Sequence, residues 1–171
     1  MNKLVVVDSS VLIPLLRVGK AEILFQCFDN VVIPEAVWEE VVIEGKELGK
    51  VFAVMEENAK KFKIAKIKDD ELLKIKGLQY NDLRVLATAK IQNDLLLTND
   101  ATIYGVALSQ NIKAWWLTGL VLYAVKIKKL LPEEGRNLVL ELVNAGAYLK
   151  SDILARVLLV LSQIGKKGNG A

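Results

Sequence analysis

The sequence predicts an α/β protein, a parallel-sheet α/β/α sandwich with extra C-terminal helices. Two observations carry this prediction. Short, wholly apolar runs such as Leu4–Val7 and Leu95–Leu97 recur along the chain, as expected for strands that are buried on both faces. Segments of helical character separate these runs, and strands that alternate with helices form a parallel sheet covered on both sides.

The first elements follow from local sequence. Leu4–Val7 ends in Asp-Ser-Ser and predicts a buried strand. Val11–Phe28 predicts one helix, with Pro14 in its first turn. Asn30–Ile33 predicts a second short strand. A helix then runs from Pro34 to about Glu44, because the fixed φ of proline suits the first helical position.

The middle of the chain continues the alternation. Lys46–Lys60 predicts a longer helix. Phe62–Lys68 alternates apolar and basic residues, which is typical of an edge strand. Asp82–Gln92 predicts a helix, Asp94–Thr98 a buried strand and Ala101–Gln110 another helix. Together these segments predict further strand and helix pairs of the same sandwich.

The last third changes character. Ile112–Trp116 predicts a strand, and the chain from Thr118 onward predicts helices, with a hairpin-like pair around Gly146. The length of 171 residues fits one domain. We expect that domain to cover residues 1–165, with about 130–165 as an appended helical hairpin and 166–171 as a disordered tail.

Composition excludes several kinds of chemistry. Histidine is absent and Cys27 is the one cysteine, so the chain has no disulfide framework, no Cys/His zinc site and no Ser-His-Asp triad. A net charge of +3 is compatible with a nucleic-acid partner without indicating one. No apolar run reaches the ~20 residues that a bilayer needs, and Asp8 interrupts the run that would start a signal peptide. We therefore expect a cytoplasmic protein with no membrane partner.

Two aspartates follow predicted strands. Asp8 and Asp100 each lie at or just beyond the carboxyl end of a buried strand. In open parallel sheets ligands bind beyond these ends, so the two carboxylates converge if the strands are central and adjacent. The alternative is that each aspartate is a turn residue or a helix N-cap.

Two further acids lie on apolar helix faces. Glu40 falls about 40° from Ala36 around its helix, inside the apolar stripe. A carboxylate there is costly unless a cation meets it, and a structural salt bridge is the alternative to a functional role. Asp82 shares the face of Val85 and Leu86, although an acid near a helix start also suits the helix dipole.

The four acids together favour a metal site. Four carboxylates at one sheet edge repel each other, so they need a cation. Without histidine or cysteine, oxygen ligands select Mg²⁺ or Mn²⁺. Such ions bind phosphates and activate water for in-line attack on phosphodiesters.

The acids lie in four motifs with a fixed order. The motifs are Val5-Val6-Val7-Asp8-Ser9-Ser10, Ile33-Pro34-Glu35-Ala36-Val37-Trp38-Glu39-Glu40-Val41, Asp82-Leu83-Arg84-Val85-Leu86-Ala87-Thr88-Ala89 and Leu96-Leu97-Thr98-Asn99-Asp100. This set resembles the PIN-domain family of metal-dependent nucleases, which includes the ribonuclease toxins of toxin–antitoxin pairs. Thr118–Leu122 and Ala145–Asp152 resemble a branch of that family with an added helical hairpin.

The resemblance implies a function. Asp8, Glu40, Asp82 and Asp100 would be both the metal ligands and the catalytic residues of a Mg²⁺/Mn²⁺-dependent nuclease acting on single-stranded RNA. Ser10 would belong, with Thr98, to the small hydroxyl residues that orient acids or phosphate. The implied partners are an RNA substrate and an antitoxin protein.

Three further features bear on partners. Lysines cluster at residues 60–68 and 126–129, as a phosphate-tracking groove or as a solvated edge strand. Trp115 and Trp116 stack bases or, alternatively, cover the core. The apolar C-terminal helices predict a homodimer interface or a surface for a partner segment.

Two other functions stay open at this stage. Asp8 at a strand end is compatible with an aspartate-nucleophile phosphatase, although Ser10 stands where related phosphatases have a second aspartate. The acids are also compatible with a non-catalytic module that binds metal and RNA. Diester cleavage, a trapped acyl-phosphate, or RNA binding without turnover would distinguish the three.

Overall fold

A parallel sheet forms the centre of the molecule. The computed structural model describes residues 3–48 and 60–168. In these residues five strands pair in the order β3-β2-β1-β4-β5, all parallel. Their bounds are β1 (Leu4–Val7), β2 (Asn30–Pro34), β3 (Lys63–Ala65), β4 (Leu95–Leu97) and β5 (Ala114–Trp115). The predicted α/β/α class is confirmed, and β1 and β4 are adjacent strands inside the sheet.

Helices connect the strands and extend the chain beyond them. Their bounds are α1 (Ser9–Arg17), α2 (Glu22–Cys27), α3 (Glu35–Leu48), α4 (Tyr80–Gln92), α5 (Ala101–Ser109), α6 (Leu117–Lys126), α7 (Pro132–Asn144) and α8 (Ser151–Gly168). A short 3₁₀ turn covers Asp69–Glu71. The helices that follow the strands start at the carboxyl edge of the sheet, which is the edge where the candidate acids were expected.

One predicted helix is wrong as a single element. Val11–Phe28 divides into α1 and α2, because the chain turns at Gly19, whose φ is +66°. The amides of Gly19 and Lys20 close the end of α1 by donating to the carbonyls of Leu16 and Leu15 at 3.0 and 2.8 Å. Glycine adopts this left-handed backbone without the steric cost of a Cβ, so it ends the helix.

The edge strands are shorter than the sequence predicts. Within Phe62–Lys68 only Lys63–Ala65 pairs with β2, because β2 gives way to α3 directly after Pro34. The position at the sheet edge is as predicted. At the other edge, Ala114–Trp115 pairs with β4, which ends at Leu97. The ladders therefore stop where the inner strands stop.

Two predicted segments extend beyond the residues that the structure describes. The predicted helix Lys46–Lys60 falls mostly on residues 49–59, which lie outside the described residues, and its first three residues belong to α3. The tail expected at 166–171 begins inside α8, which continues to Gly168. Residues 169–171 lie outside the described residues.

The core lies on both faces of the sheet. Val5, Val6 and Val7 are fully buried in β1, as are Leu96 and Leu97 in β4. One helix group, α3 with α4, packs on β1 and β2, and another, α2 with α6, packs on β2 and β5. Burial on both sides explains why these strands are uniformly apolar instead of alternating.

The C-terminal helices form the expected hairpin. α7 packs against α8 and α6, and the turn between α7 and α8 contains Gly146 at a φ of +97°. A Cβ on Gly135 of α7 would lie 2.7 Å from Cγ2 of Val125, so glycine permits the close approach of α7 to α6. In the described part of the chain, no helix combines the length and the apolarity needed to cross a bilayer.

Candidate active site

The carboxyl ends of β1 and β4 define the site. Val7 is paired with Leu97, and the amide of Asp8 donates to the carbonyl of Leu97 at 3.0 Å. Asp8 and Thr98 therefore leave the sheet side by side, although 90 residues separate them in the sequence. The two strand ends are adjacent, as the sequence predicts, while the convergence of the Asp8 and Asp100 carboxylates stays a prediction.

Asp8 is buried and held by four contacts. It caps α1, since its Oδ1 accepts the amide of Ser9 at 2.8 Å and lies 3.5 Å from the Ser9 hydroxyl. Its Oδ2 accepts the Thr98 hydroxyl at 2.9 Å and the Ser10 hydroxyl. Only 3% of the surface of Asp8 is accessible to solvent. The contacts predicted for Ser10 and Thr98 with an acid are confirmed, while their contact with phosphate stays a prediction.

Burial also sets the charge behaviour of Asp8. Desolvation raises the pKa of the Asp8 carboxyl above its ordinary value of 3.8, and the negative charge of Glu40 adds to this. The hydrogen bonds from Ser10, Thr98 and Ser9 lower the pKa and offset only part of the rise. An ionised Asp8 is thus costly in the protein by itself.

Asp100 begins the next helix at the same edge. It caps α5, because its Oδ1 accepts the amides of Thr102 and Ile103 at 2.8 and 2.9 Å. Its own amide donates to the Thr98 hydroxyl oxygen at 3.1 Å. The same hydroxyl therefore bonds both Asp8 and the backbone of Asp100, and fixes the two strand ends relative to each other.

Glu40 is half-buried on α3 and has an unexpected partner. Its Oε1 accepts the side-chain amide of Asn81 at 2.9 Å. Asn81 is neutral, and in the described residues Glu40 makes no ion pair. The structural salt bridge that would explain this acid is therefore not found there. The sequence patterns did not indicate Asn81, although its position directly before Asp82 was an available signal.

Asp82 lies in the first turn of α4. Its Oδ2 accepts the amide of Gln79 at 3.2 Å, as in a capping box. Partial burial raises the pKa of the Asp82 carboxyl, the Gln79 amide lowers it, and the charges of Asp100 and Glu40 raise it further. The hydrogen bond to Gln79 alone therefore does not account for the electrostatic environment of Asp82.

The four acids form one electrostatic group. Glu40 acts on both Asp8 and Asp82, and Asp100 acts on Asp82. None of the four forms an ion pair within the described residues. As placed, however, no three acidic side chains among the described residues lie close enough to share a metal ion. The structure thus brings the acids to one edge of the sheet without gathering them into a closed ligand set.

The donor chemistry fits a hard divalent cation. Hydrogen bonds within the described residues leave one carboxylate oxygen free on each of Glu40, Asp82 and Asp100. The candidate metal ligands of the four acids are all carboxylate oxygen atoms, the ligand type that Mg²⁺ and Mn²⁺ prefer. A cation would also relieve the mutual repulsion that raises the pKa values of Asp8 and Asp82. Residue type and charge are therefore suitable, although the separation of the side chains is larger than in a preformed metal site.

The basic residues of the sheet edge have other partners. Lys61 pairs with Glu22 at 2.8 Å, and Lys66 pairs with Glu35 at 2.9 Å. Lys63 donates to the side chain of Asn30. These contacts favour a solvated edge strand over a free phosphate-tracking groove.

The tandem tryptophans cover the sheet edge by packing against tyrosines. The ring centroids of Trp115 and Tyr123 lie 5.2 Å apart, with the rings tilted at 56°. The ring centroids of Trp116 and Tyr104 lie 4.2 Å apart, with the rings stacked at an interplanar angle of 22°. Each tryptophan therefore has one aromatic neighbour within the protein.

Comparisons with known proteins agree with this fold. A family model described as PIN domain matches residues 4–163. Among solved structures the chain is similar to a PilT N-terminus domain protein from the hyperthermophilic archaeon Sulfolobus solfataricus P2, with a TM-score of 0.52 and 16% identity over 68% of this chain and 89% of that chain.

A second solved structure is a domain of a functionally unknown protein from Methanocaldococcus jannaschii DSM 2661. Its TM-score is 0.44, with 24% identity over 67% of this chain and 90% of that chain. No curated protein matches the chain. The family model spans nearly the whole domain, so the chain belongs to the PIN-domain family, whose members are commonly nucleases.

Proposed function

We propose that this protein is a Mg²⁺- or Mn²⁺-dependent nuclease that hydrolyses phosphodiester bonds in single-stranded RNA. One observation carries the proposal: four carboxylates at the carboxyl edge of the sheet act on each other electrostatically, with no lysine or arginine paired to them in the described residues. Mutual repulsion of unpaired carboxylates lowers the stability of the folded protein unless a cation binds to them. Membership of a nuclease family supports the same conclusion.

Each acid has a stated role in this proposal. Asp8, Glu40, Asp82 and Asp100 would hold the ion, which when bound would supply a water of lowered pKa and positive charge for the scissile phosphate. Ser10 and Thr98 orient the Asp8 carboxylate through its Oδ2. Asn81 does the same for Glu40. These neutral partners fix direction while leaving the negative charge uncompensated.

The contacts of Asp8 disfavour the phosphatase alternative. Both of its oxygens accept hydrogen bonds, and the side chain is almost fully buried. A nucleophilic carboxylate needs one oxygen with open access to phosphorus. The contacts of Asp8 suit a carboxylate that is held in place, not one that attacks phosphorus.

A cleavage assay tests the proposal. End-labelled single-stranded RNA is incubated with the protein in EDTA, and then with Mg²⁺ or Mn²⁺ in excess. Cleavage is expected only with the metals, and Asp8→Asn is expected to lower its rate more than about 100-fold, beyond the loss that removal of an outer-shell partner causes. Asp94→Asn, which changes an aspartate at the opposite end of β4, is the matched control and keeps full activity.

Binding measurements separate the remaining outcomes. Calorimetry should detect Mn²⁺ binding to the wild type and its loss in Asp8→Asn. Metal-dependent RNA binding without turnover would instead indicate a non-catalytic module, and EDTA-resistant cleavage would contradict the proposed site. Growth arrest on expression, relieved by a co-expressed partner, tests the toxin role that the family resemblance implies.

A further inference from the structure

A cavity of about 480 Å³ opens beside the acidic group. It lies between the loop after β4, the start of α6 and the connection from α7 to α8. The lining residues that bear on its function are Asn99, Asp100, Trp116, Thr118, Tyr148 and Lys150. Asp100 belongs both to this cavity and to the four acids, so the two sites are neighbours.

A chain of hydrogen bonds connects the cavity to Asp8. The Ser10 hydroxyl donates to Asp8 and accepts the amide of Asn99 at 2.8 Å. The side-chain amide of Asn99 in turn donates to the carbonyl of Tyr148 at 2.8 Å. The C-terminal hairpin is thus anchored directly to the carboxyl edge of the sheet, and its connection forms one wall of the cavity.

Two residues that line the cavity have features that contacts within the described residues do not explain. Tyr148 is 73% exposed although its backbone is fixed by Asn99, so an aromatic ring is held at the cavity in contact with solvent. The Oδ1 atom of Asn99 is buried and accepts no hydrogen bond from the described residues. Buried acceptors are normally satisfied, and Asn99 lines the cavity, so a ligand that brings an N–H donor would satisfy this atom once the Asn99 side chain turns toward it.

We propose that this cavity binds one nucleobase of a single-stranded nucleic acid, next to the phosphate held at the acidic group. Tyr148 offers a face for stacking, Asn99 Oδ1 accepts an N–H of the base, and Lys150 contacts the adjoining backbone phosphate. This inference rests on the proposed function for its phosphate. It makes the C-terminal hairpin part of the substrate site.

The chemistry favours a base over an apolar side chain of a protein partner. An apolar side chain would leave the Asn99 acceptor unsatisfied and would give Lys150 no anion to bind. Every nucleobase has both an aromatic face and an N–H donor, and it arrives next to a phosphate. One ligand therefore uses all three groups.

Mononucleotide binding tests this inference without cleavage. Wild-type protein in Mg²⁺ is titrated with adenosine 5′-monophosphate and, separately, with ribose 5-phosphate, which has the same phosphate and sugar but no base. The changes are followed by NMR. The nucleotide is expected to bind roughly tenfold more tightly, as one stacked base provides.

Three variants assign the groups. Tyr148→Leu should remove the preference for the nucleotide, while Tyr148→Phe should keep it because the ring is retained. Lys150→Ala should weaken both ligands about equally. Leu159→Ala, at a side chain of α8 that is 58% exposed and does not line the cavity, is the control and should change neither affinity.

The outcomes distinguish this inference from the proposed function. Equal affinity for the two ligands in a protein that still cleaves RNA would overturn the base site alone. A Tyr148-dependent preference in a protein that cleaves no RNA would overturn the nuclease and keep the base site. If Tyr148→Leu changes the oligomeric state and leaves nucleotide binding intact, the cavity is a protein interface and the inference is wrong.

Discussion

The two ends of β4 have similar local structure, but the charged groups around them differ. Asp94 precedes the strand and accepts the amide of Leu95 at 2.8 Å. Asp100 follows it and accepts the amides that begin α5. Around Asp94 the neighbours include Lys90 and Lys113, which line a cavity of about 300 Å³ with it. Asp100 instead raises the pKa of another acid, Asp82, and shares its cavity with Lys150. Local capping therefore does not reveal which aspartate has a further role.

The direction of the sheet explains this difference. At the carboxyl edge the strands lead into helix N-termini, and Asp8 and Asp100 cap two of them. The positive end of the helix dipole favours each acid separately. At the amino edge the helices end, and Lys90 lies in the last turn of α4, as the dipole favours there. Parallel topology therefore favours capping acids such as Asp8 and Asp100 at one edge and a last-turn base such as Lys90 at the other.

The largest expected effect is the loss of activity in Glu40→Gln. This change keeps the size of the side chain but removes the charge that acts on Asp8 and Asp82. We expect cleavage to fall more than about 100-fold, because a ligand should cost more than an outer-shell partner. The rate of RNA cleavage at fixed Mn²⁺ and the Mn²⁺ affinity by calorimetry both measure it.

Glu39→Gln is the matched control for this comparison. Glu39 is the next residue on α3, and it is exposed. Its substitution should alter the rate by less than about twofold, as expected for a surface side chain without a partner in the site. Equal losses in the two variants would mean that general negative charge, and not the Glu40 position, matters.

A smaller effect is expected from Thr98→Val. The substitution preserves shape but removes the hydroxyl that donates to Asp8 and accepts the amide of Asp100. We expect a loss of roughly 10- to 100-fold in metal affinity or rate, as for other outer-shell partners. Thr88→Val gives the comparison, because Thr88 is equally buried and donates to the backbone of Arg84 within α4.

The Thr88 variant should lose stability without losing metal affinity. A matching loss of metal affinity in both variants would show that Thr98 acts through general packing. The pair therefore separates orientation of Asp8 from the cost of removing a buried hydroxyl.

Sequence patterns predicted the position of the acids in the fold better than the residues that surround them. The strand ends placed Asp8 and Asp100 correctly, because parallel topology fixes where such residues meet. The helical face indicated Glu40, but not Asn81, since a contact between α3 and α4 depends on how the two helices pack. The break at Gly19 was missed because apolar periodicity continues across it, and a left-handed turn is a backbone property.

Asp8→Asn should make the metal-free protein more stable. Burial and the charge of Glu40 raise the pKa of the Asp8 carboxyl, so its ionised form costs free energy at neutral pH. Asparagine keeps an oxygen for the Ser9 amide and carries no charge. We expect a gain of order 1 kcal/mol in unfolding free energy, as is common where a functional site is costly to the fold.

Thermal unfolding in EDTA measures this gain. For a chain of this length about 1 kcal/mol corresponds to a rise of roughly 2–4 °C in Tm. Asp94→Asn, at the other end of β4, should shift Tm by less, because that aspartate adjoins lysines instead of acids. A lower Tm for Asp8→Asn would show that its hydrogen bonds outweigh the cost of its charge.

The smallest expected effect is the pH dependence of that gain. The folded protein binds the Asp8 proton more tightly than the unfolded chain does, because the pKa is raised above 3.8. This stabilising term is complete below the unfolded pKa and is lost as pH rises through the folded pKa. The wild type should therefore approach Asp8→Asn in stability near pH 4 and fall behind it toward pH 7.

Comparing the two variants at each pH removes the other carboxylates from the result, since both proteins contain them. Denaturant unfolding in EDTA at several pH values between 4 and 7 gives the difference directly. Saturating Mg²⁺ should reverse the trend, because the ion binds the ionised carboxylate and stabilises the folded wild type. A difference that stays constant with pH would mean that the pKa of Asp8 is the same in the folded and unfolded states, because the hydrogen bonds from Ser9, Ser10 and Thr98 fully offset its burial.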